Sequence, residues 1–140
     1  MQTPSAPARN AAIVVLEDAD GRVAMQHRDD KPGLFGRNQW GLFGGGIEAG
    51  ETPIAAAVRE IGEELCITLR ADALRHLKTT PKDGGVHRHW FAYSVRDDLD
   101  GAVLMEGQDW RVMTRGEIEA ADVQPHHLEL LRWYWSQPQT

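Results

Sequence analysis

The chain has 140 residues and a formal net charge of −6, from 15 basic and 21 acidic side chains. Apolar residues make up 41% and charged residues 26%, a globular balance that argues against disorder, while the acidic excess argues against a broad nucleic-acid platform. The longest strongly apolar run, Ala11 to Leu16, falls far short of the about 20 residues that a membrane span needs. No leader-like segment opens the chain, and the single cysteine, Cys66, forms no internal disulfide. A reducing, cytoplasmic setting is expected.

Residues 1–10 (MQTPSAPARN) read as a flexible polar tail, and residues 11–140 as a single domain. Ala11 to Glu17 predicts a buried strand, Asp18 to Arg22 a turn, and Val23 to His27 the second strand of a hairpin. Asp29 to Trp40 predicts a loop of a length that often carries function. Gly44 to Gly46 predicts a glycine-rich turn ahead of a helix. Thr52 suits the N-cap and Pro53 the first helical position, with the helix expected to run to about Leu65. Leu74 to Thr80 and Val86 to Val95 predict strands around a turn at Pro81 to Gly85. Further short strands are expected at Ala102 to Glu106 and Trp110 to Met113. A short helix is expected over Glu117 to Ala121 and a last one over His126 to Trp135, with Leu128, Leu131 and Trp135 on one face. Strands on both sides of a central helix predict an α/β sandwich around a mixed sheet.

At about 100° per residue, Ile54, Val58, Ile61 and Leu65 share a helical stripe expected to pack on the sheet. Glu60, Glu63 and Glu64 share another arc, with small Ala56 on the same side. Like charges at this spacing repel by tenths of a kcal/mol per pair. A hard divalent cation such as Mg²⁺ offsets that repulsion and bridges to substrate phosphates. The plain alternative is a solvated acidic face; the glycines upstream, whose backbone approaches a ligand closely, favour the cation. Glu51 and Arg59 are spaced to form an ion pair bracing the loop against the helix, unless Arg59 simply pairs with Glu63 one turn on.

From Gly45 the sequence reads G-x5-E-x7-R-E-I-x-E-E-x-C-I, which resembles the Nudix hydrolase signature G-x5-E-x7-R-E-U-x-E-E-x-G-U, where U is bulky aliphatic. Gly45, Glu51, Arg59, Glu60, Ile61, Glu63, Glu64 and Ile67 agree, and Cys66 stands where the family has glycine. Phe43 replaces the proline common before the paired glycines. The resemblance implies the Nudix α/β/α sandwich with a central mixed β-sheet. It implies hydrolysis of a phosphoanhydride bond in a nucleoside diphosphate linked to another group, assisted by Mg²⁺ (or Mn²⁺). It implies Glu60, Glu63 and Glu64 as metal-binding, catalytic carboxylates, Gly44 as a backbone carbonyl ligand, and Glu51 and Arg59, with Gly45, as the bracing of the site. Glu106 resembles the position of an extra metal ligand or base in some members, against an ordinary strand-end glutamate. The family's glycine ends the helix in a left-handed conformation, so Cys66 is expected to carry about 1 kcal/mol of local strain. A catalytic thiol is the sharper alternative, but no histidine lies near it in sequence.

Outside this box, Arg28, Lys31 and Arg37 are candidates to meet substrate phosphates, or simply solubilise the loop. His87 and His89 share a face of their predicted strand and are candidates to line the substrate cleft, against a hydrogen-bonded structural role. His126 and His127 read as surface residues, and Trp40, Trp90 and Trp110 as core, with one of them stacking on a nucleobase as the alternative. Small size without an insertion fits a nucleoside triphosphate or nucleotide-sugar hydrolase of the MutT-like type. RNA 5′-end hydrolysis sits less well with the acidic balance. The alternative from another class is a non-catalytic Nudix module that binds a nucleotide, although the carboxylates such modules lose are all kept here. A homodimer is common in this superfamily.

Overall fold

The computed structural model describes residues 9–138; of the tail expected over residues 1–10, all but Arg9 and Asn10 lie outside them. Ala11–Glu17 (β1) is apolar on both sides, and its first six residues are buried, the mark of a strand covered on both faces. It lies at the centre of the sheet. Along one edge it pairs in parallel with His87–Ser94 (β6), Ala11 beside Arg88 and Glu17 beside Ser94. Along the other edge the ladder forks. Val23–His27 (β2) pairs with β1 antiparallel at Glu17, and Phe43–Gly46 (β4) takes over opposite Ala11 to Val14. β2 also pairs with Trp40–Gly41 (β3) and with Asp109–Met113 (β7). Arg75–Pro81 (β5) borders β6, with a bulge between His76 and Lys78.

Pro53–Leu65 (α1) covers one face of this mixed sheet, over Val14, Leu16, Phe43, Phe91 and Tyr93. Arg115–Ala120 (α2) and Pro125–Ser136 (α3) cover the other, over Ile13, Val15, Met25 and Trp90. The predicted α/β sandwich is the observed architecture. The caps explain where α1 begins and ends. Thr52 Oγ1 accepts the Ala55 N–H at 3.1 Å, and Cys66 closes the helix in the left-handed region at φ 57° and ψ 33°, its N–H bonded to the Gly62 carbonyl. No helix among the described residues is long and apolar enough to cross a membrane.

Four local expectations change. Gly44 to Gly46, expected as a turn, forms the strand β4, because the edge of β1 that β2 leaves open needs a partner. Gly44 is required there: at φ 154° a Cβ would run into the Ala12 carbonyl. Ala102 to Glu106 forms no strand. The Val103 and Met105 N–H groups instead bond to the Leu65 and Glu64 carbonyls at 2.9 and 2.8 Å, satisfying the open end of α1. The buried stripe of α1 is Ala57, Ile61 and Leu65, flanked by Ala56 and Glu64, while Ile54 at its first turn is exposed. On α3 the fully buried residues are Leu130, Leu131 and Tyr134, with Leu128 and Trp135 packed at the margin.

Candidate active site

Arg59 ties the loop before α1 to the helix and to β4. Its Nε and Nη2 reach the two Glu51 carboxylate oxygens at 2.8 and 2.9 Å, and Nη2 also donates to the Gly46 carbonyl at 2.9 Å. Glu51 closes the loop further by accepting the Glu48 N–H. The Arg59 guanidinium therefore holds the Glu51 carboxyl down at about 2, and the carboxylates hold the guanidinium charged. The bidentate geometry makes this a specific brace.

The three helix carboxylates stand in different surroundings. Glu64 is 3% exposed, with Oε1 accepting the Gly44 N–H at 3.1 Å. Burial pushes its pKa up to about 9, and the charges of Glu60 and Glu106 push the same way. Glu60 is half-buried against β4, close enough that a Cβ on Gly45 would overlap its carboxylate; burial raises its pKa too, against the pull of Arg59. Glu63 is exposed and points to Arg59 Nη1 at 3.2 Å, while the same nitrogen holds Glu60 Oε1 at 2.8 Å. As these side chains stand, no three His, Cys, Asp or Glu among the described residues converge on one ion; Arg59 draws Glu60 and Glu63 toward itself. Glu64 and Glu60 stand beside the β4 backbone as hard oxygen donors, the ligand type that a divalent cation such as Mg²⁺ takes.

On the other side of Gly44–Gly46 opens a cleft of about 550 Å³, lined by Arg9, Arg28, Lys82 and Arg88 and by His126 and His127. It is basic where α1 is acidic. Arg28 also lines a smaller cavity beside Glu106, with Lys31 and Gln26, and its Nε is buried without a hydrogen-bond partner among the described residues. Arg37 is half-exposed, paired with Asp30 at 2.8 Å, and lines neither cavity.

His87 and His89 lie away from the cleft. Strand alternation places them on the α1 side of β6, where His89 neighbours Thr79 and, through it, His76. Arg88, between them, faces the cleft from the α3 side. His127, expected at the surface, is packed inside: its Nδ1 accepts the Leu42 N–H at 2.9 Å and its ring meets Trp90 edge-on. Burial pushes its pKa down to about 3. Arg9, Lys82 and Gln124 carried no local signal, since each comes from a different segment. Alternation around His87 and His89 was the one clue to Arg88.

Comparison with known proteins places this geometry. The NUDIX domain model matches residues 7–134. An RNA pyrophosphohydrolase of Gluconobacter oxydans (strain 621H) is 30% identical over 141 residues, spanning 95% of this chain and 74% of that one. The E. coli dihydroneopterin triphosphate pyrophosphohydrolase superposes with a TM-score of 0.68 at 22% identity, over 89% of this chain and 93% of that one. A bifunctional NMN adenylyltransferase/ADP ribose pyrophosphatase of Francisella tularensis, solved with AMP and a manganese ion, gives 0.71 at 20% identity over 95% of this chain and 42% of that one. These two are likenesses of fold. The family match over most of the chain and the shared α/β/α fold define a hydrolase of the Nudix class. The chain belongs to the Nudix family and is one of its pyrophosphohydrolases.

Proposed function

We propose that residues 11–140 form one catalytic domain that hydrolyses a phosphoanhydride bond in a nucleoside diphosphate linked to another group, with nucleoside triphosphates and nucleotide sugars as leading substrates and Mg²⁺ (or Mn²⁺) as cofactor. The observation that carries this reading is the meeting of opposite charges across one strand: Glu60 and Glu64 on α1, Arg28 and Arg88 in the cleft, and Gly44–Gly46 between them. Glu60, Glu64 and the Gly44 carbonyl are the groups that would hold the ion, and Glu63 joins them on release from Arg59. When bound, the ion neutralises pyrophosphate charge and acidifies the attacking water.

The chain's own residues supply the rest. Arg28 and Arg88 bind phosphate oxygens and orient the phosphorus. Glu106, exposed and near enough to Glu64 to influence it electrostatically, serves as a further ligand of the ion or takes the proton of the water. The Glu51–Arg59 pair keeps loop and helix in register. Cys66 holds the left-handed position that glycine holds elsewhere in the family, as a tolerated strain at the end of α1. The single unpaired cysteine supports work in the cytoplasm.

A second reading, hydrolysis at RNA 5′ ends, is favoured by the 30% identity to an RNA pyrophosphohydrolase. The test is a panel of nucleoside triphosphates, nucleotide sugars, ADP-ribose and a 5′-triphosphorylated RNA oligonucleotide with Mg²⁺, products separated by ion exchange and Glu64→Gln as control. Cleavage of a small nucleotide, lost in the control, supports the first reading. Cleavage of the RNA alone supports the second, and silence with every substrate overturns both.

A further inference from the structure

Glu106 lies in no strand or helix, yet its segment is held from both sides. Ahead of it, the Met105 N–H bonds to the Glu64 carbonyl at 2.8 Å. Behind it, the Gln108 N–H bonds to the His27 carbonyl at 2.8 Å, and the Gln108 side-chain amide donates to the Arg28 carbonyl at 2.8 Å. A further anchor comes from inside the sheet. Gln26 is 4% exposed on β2, and alternation sets it on the side that Ala24 turns to the α1 core. Its Nε2 donates to the Glu106 carbonyl at 2.9 Å, across 80 residues of sequence. Gly107 permits the approach. It sits at φ 94°, and a Cβ there would lie 2.8 Å from the His27 carbonyl oxygen and 3.1 Å from Gln26 Cγ. A buried amide where the strand could carry an aliphatic side chain costs desolvation unless it is bonded. The bond that Gln26 makes goes to the irregular segment that carries Glu106.

We infer that Gln26 is a positioning residue of the hydrolysis: its buried amide, fitted against Gly107, fixes where the Glu106 carboxylate stands relative to Glu60 and Glu64. The inference rests on the role proposed above for Glu106 and adds how that role is kept without regular structure. A surface segment with no ladder of its own opens readily. A group that binds an ion or takes a proton works only within about 0.5 Å of its productive place, and a misplacement of about 1 Å costs up to about 10²-fold. The charge of Glu106 acts on both Glu60 and Glu64, so the three carboxylates work in one field. The Met105 bond ties Glu106 to the end of α1, and the Gln26 bond ties it to the sheet. Anchors on two elements fix a freedom that either alone leaves open. Loss of the Gln26 donor leaves the tie to α1 in place, so Glu106 shifts while the fold stays.

The test is a double-mutant cycle on kcat and KM for the best substrate of the panel above, joined to amide hydrogen exchange. Gln26→Met keeps the length and packing of the side chain and removes the donor. It is expected to lower kcat by about 10–100-fold and to move KM by less than about threefold. Glu106→Gln alone is expected to cost about 10²-fold or more, and in that background Gln26→Met should cost less than about twofold further. A residue that only stabilised the fold would cost the same in both backgrounds. Exchange at the Met105 and Gln108 amides should quicken by about tenfold in Gln26→Met while α1 keeps its protection. Where Gln26→Met does not fold, Gly107→Ala, which pushes the turn away from His27, takes its place with the same pattern expected. A wild-type kcat in the folded variant, or equal losses with and without the Glu106 carboxylate, overturns the inference. Absence of any phosphoanhydride cleavage by the wild type fails the proposed function instead. Exchange then decides the anchoring alone, faster exchange at Met105 and Gln108 upholding it and unchanged exchange overturning it.

Discussion

Glu51 and Glu64 belong to one loop-and-helix segment and live under opposite conditions. Glu51 receives a bidentate guanidinium and a backbone N–H, and its carboxyl sits at about 2. Glu64 is buried, receives one backbone N–H, faces the charges of Glu60 and Glu106, and sits at about 9. The first carboxylate is completed by the chain's own residues, so its work is to hold loop and helix together. The second is left electrically incomplete, and that incompleteness is what a cation-dependent site requires. Partners, more than spacing, separate the bracing acid from the one proposed to hold the ion.

The largest effect expected from this contrast is on turnover. Glu64→Gln should lower the rate by about 10²–10⁴-fold while the metal-free variant melts no lower than wild type, as calorimetry will read; a normal rate would break the contrast. Arg59→Ala should do the reverse in kind, lowering the urea midpoint together with kcat/KM, since it releases Glu51, the Gly46 carbonyl and Glu60 at once. The pH dependence of the metal-free protein sharpens the comparison. Glu64 keeps its proton when folded and has lost it when unfolded, so its stabilising effect is full below about 4.5 and drains as pH rises toward 9. Glu51 works the other way, its stabilisation present above about 4.5 and lost as pH falls toward 2. Urea titrations should show the alkaline slope flatten in Glu64→Gln and the acid slope flatten in Glu51→Gln. The smallest effect is at Cys66. Relief of its left-handed strain in Cys66→Gly should raise Tm by about 2–4 °C, the equivalent of roughly 1 kcal/mol, with activity unchanged.

Much of this was readable from local pattern. The hairpin Ala11 to His27 carries an apolar run, a turn and a second run, and its strands fall where expected. Thr52 and Pro53 announced the start of α1, and the i, i+3, i+4 spacing announced its carboxylates. What was hidden depends on which strand lies beside which. Three glycines in a row have no strand signature, and their place in β4 comes from the vacant edge of β1. Ala102 to Glu106 is apolar enough to read as a strand, but its N–H groups go to the end of α1. His87 and His89 do share a face; that this face is turned from the cleft follows from the parallel register with β1. Gln124 and His127 sit at a helix start that looks superficial in sequence, yet Gln124 packs against Gly36 and Gly41 and the His127 ring against Trp90.

The parallel pairing of β1 with β6 sets Ala11 beside Arg88, and this has a bearing on synthesis. A ribosome releases β1 long before β6 exists, so the segment AAIVVLE, rich in strand-forming residues and nearly uncharged, waits with one edge uncovered. Such a segment is a template for association between nascent chains. Weaker induction, which lowers the concentration of waiting chains, should therefore improve the soluble yield of this chain more than that of a protein whose central strand is covered by its immediate neighbours.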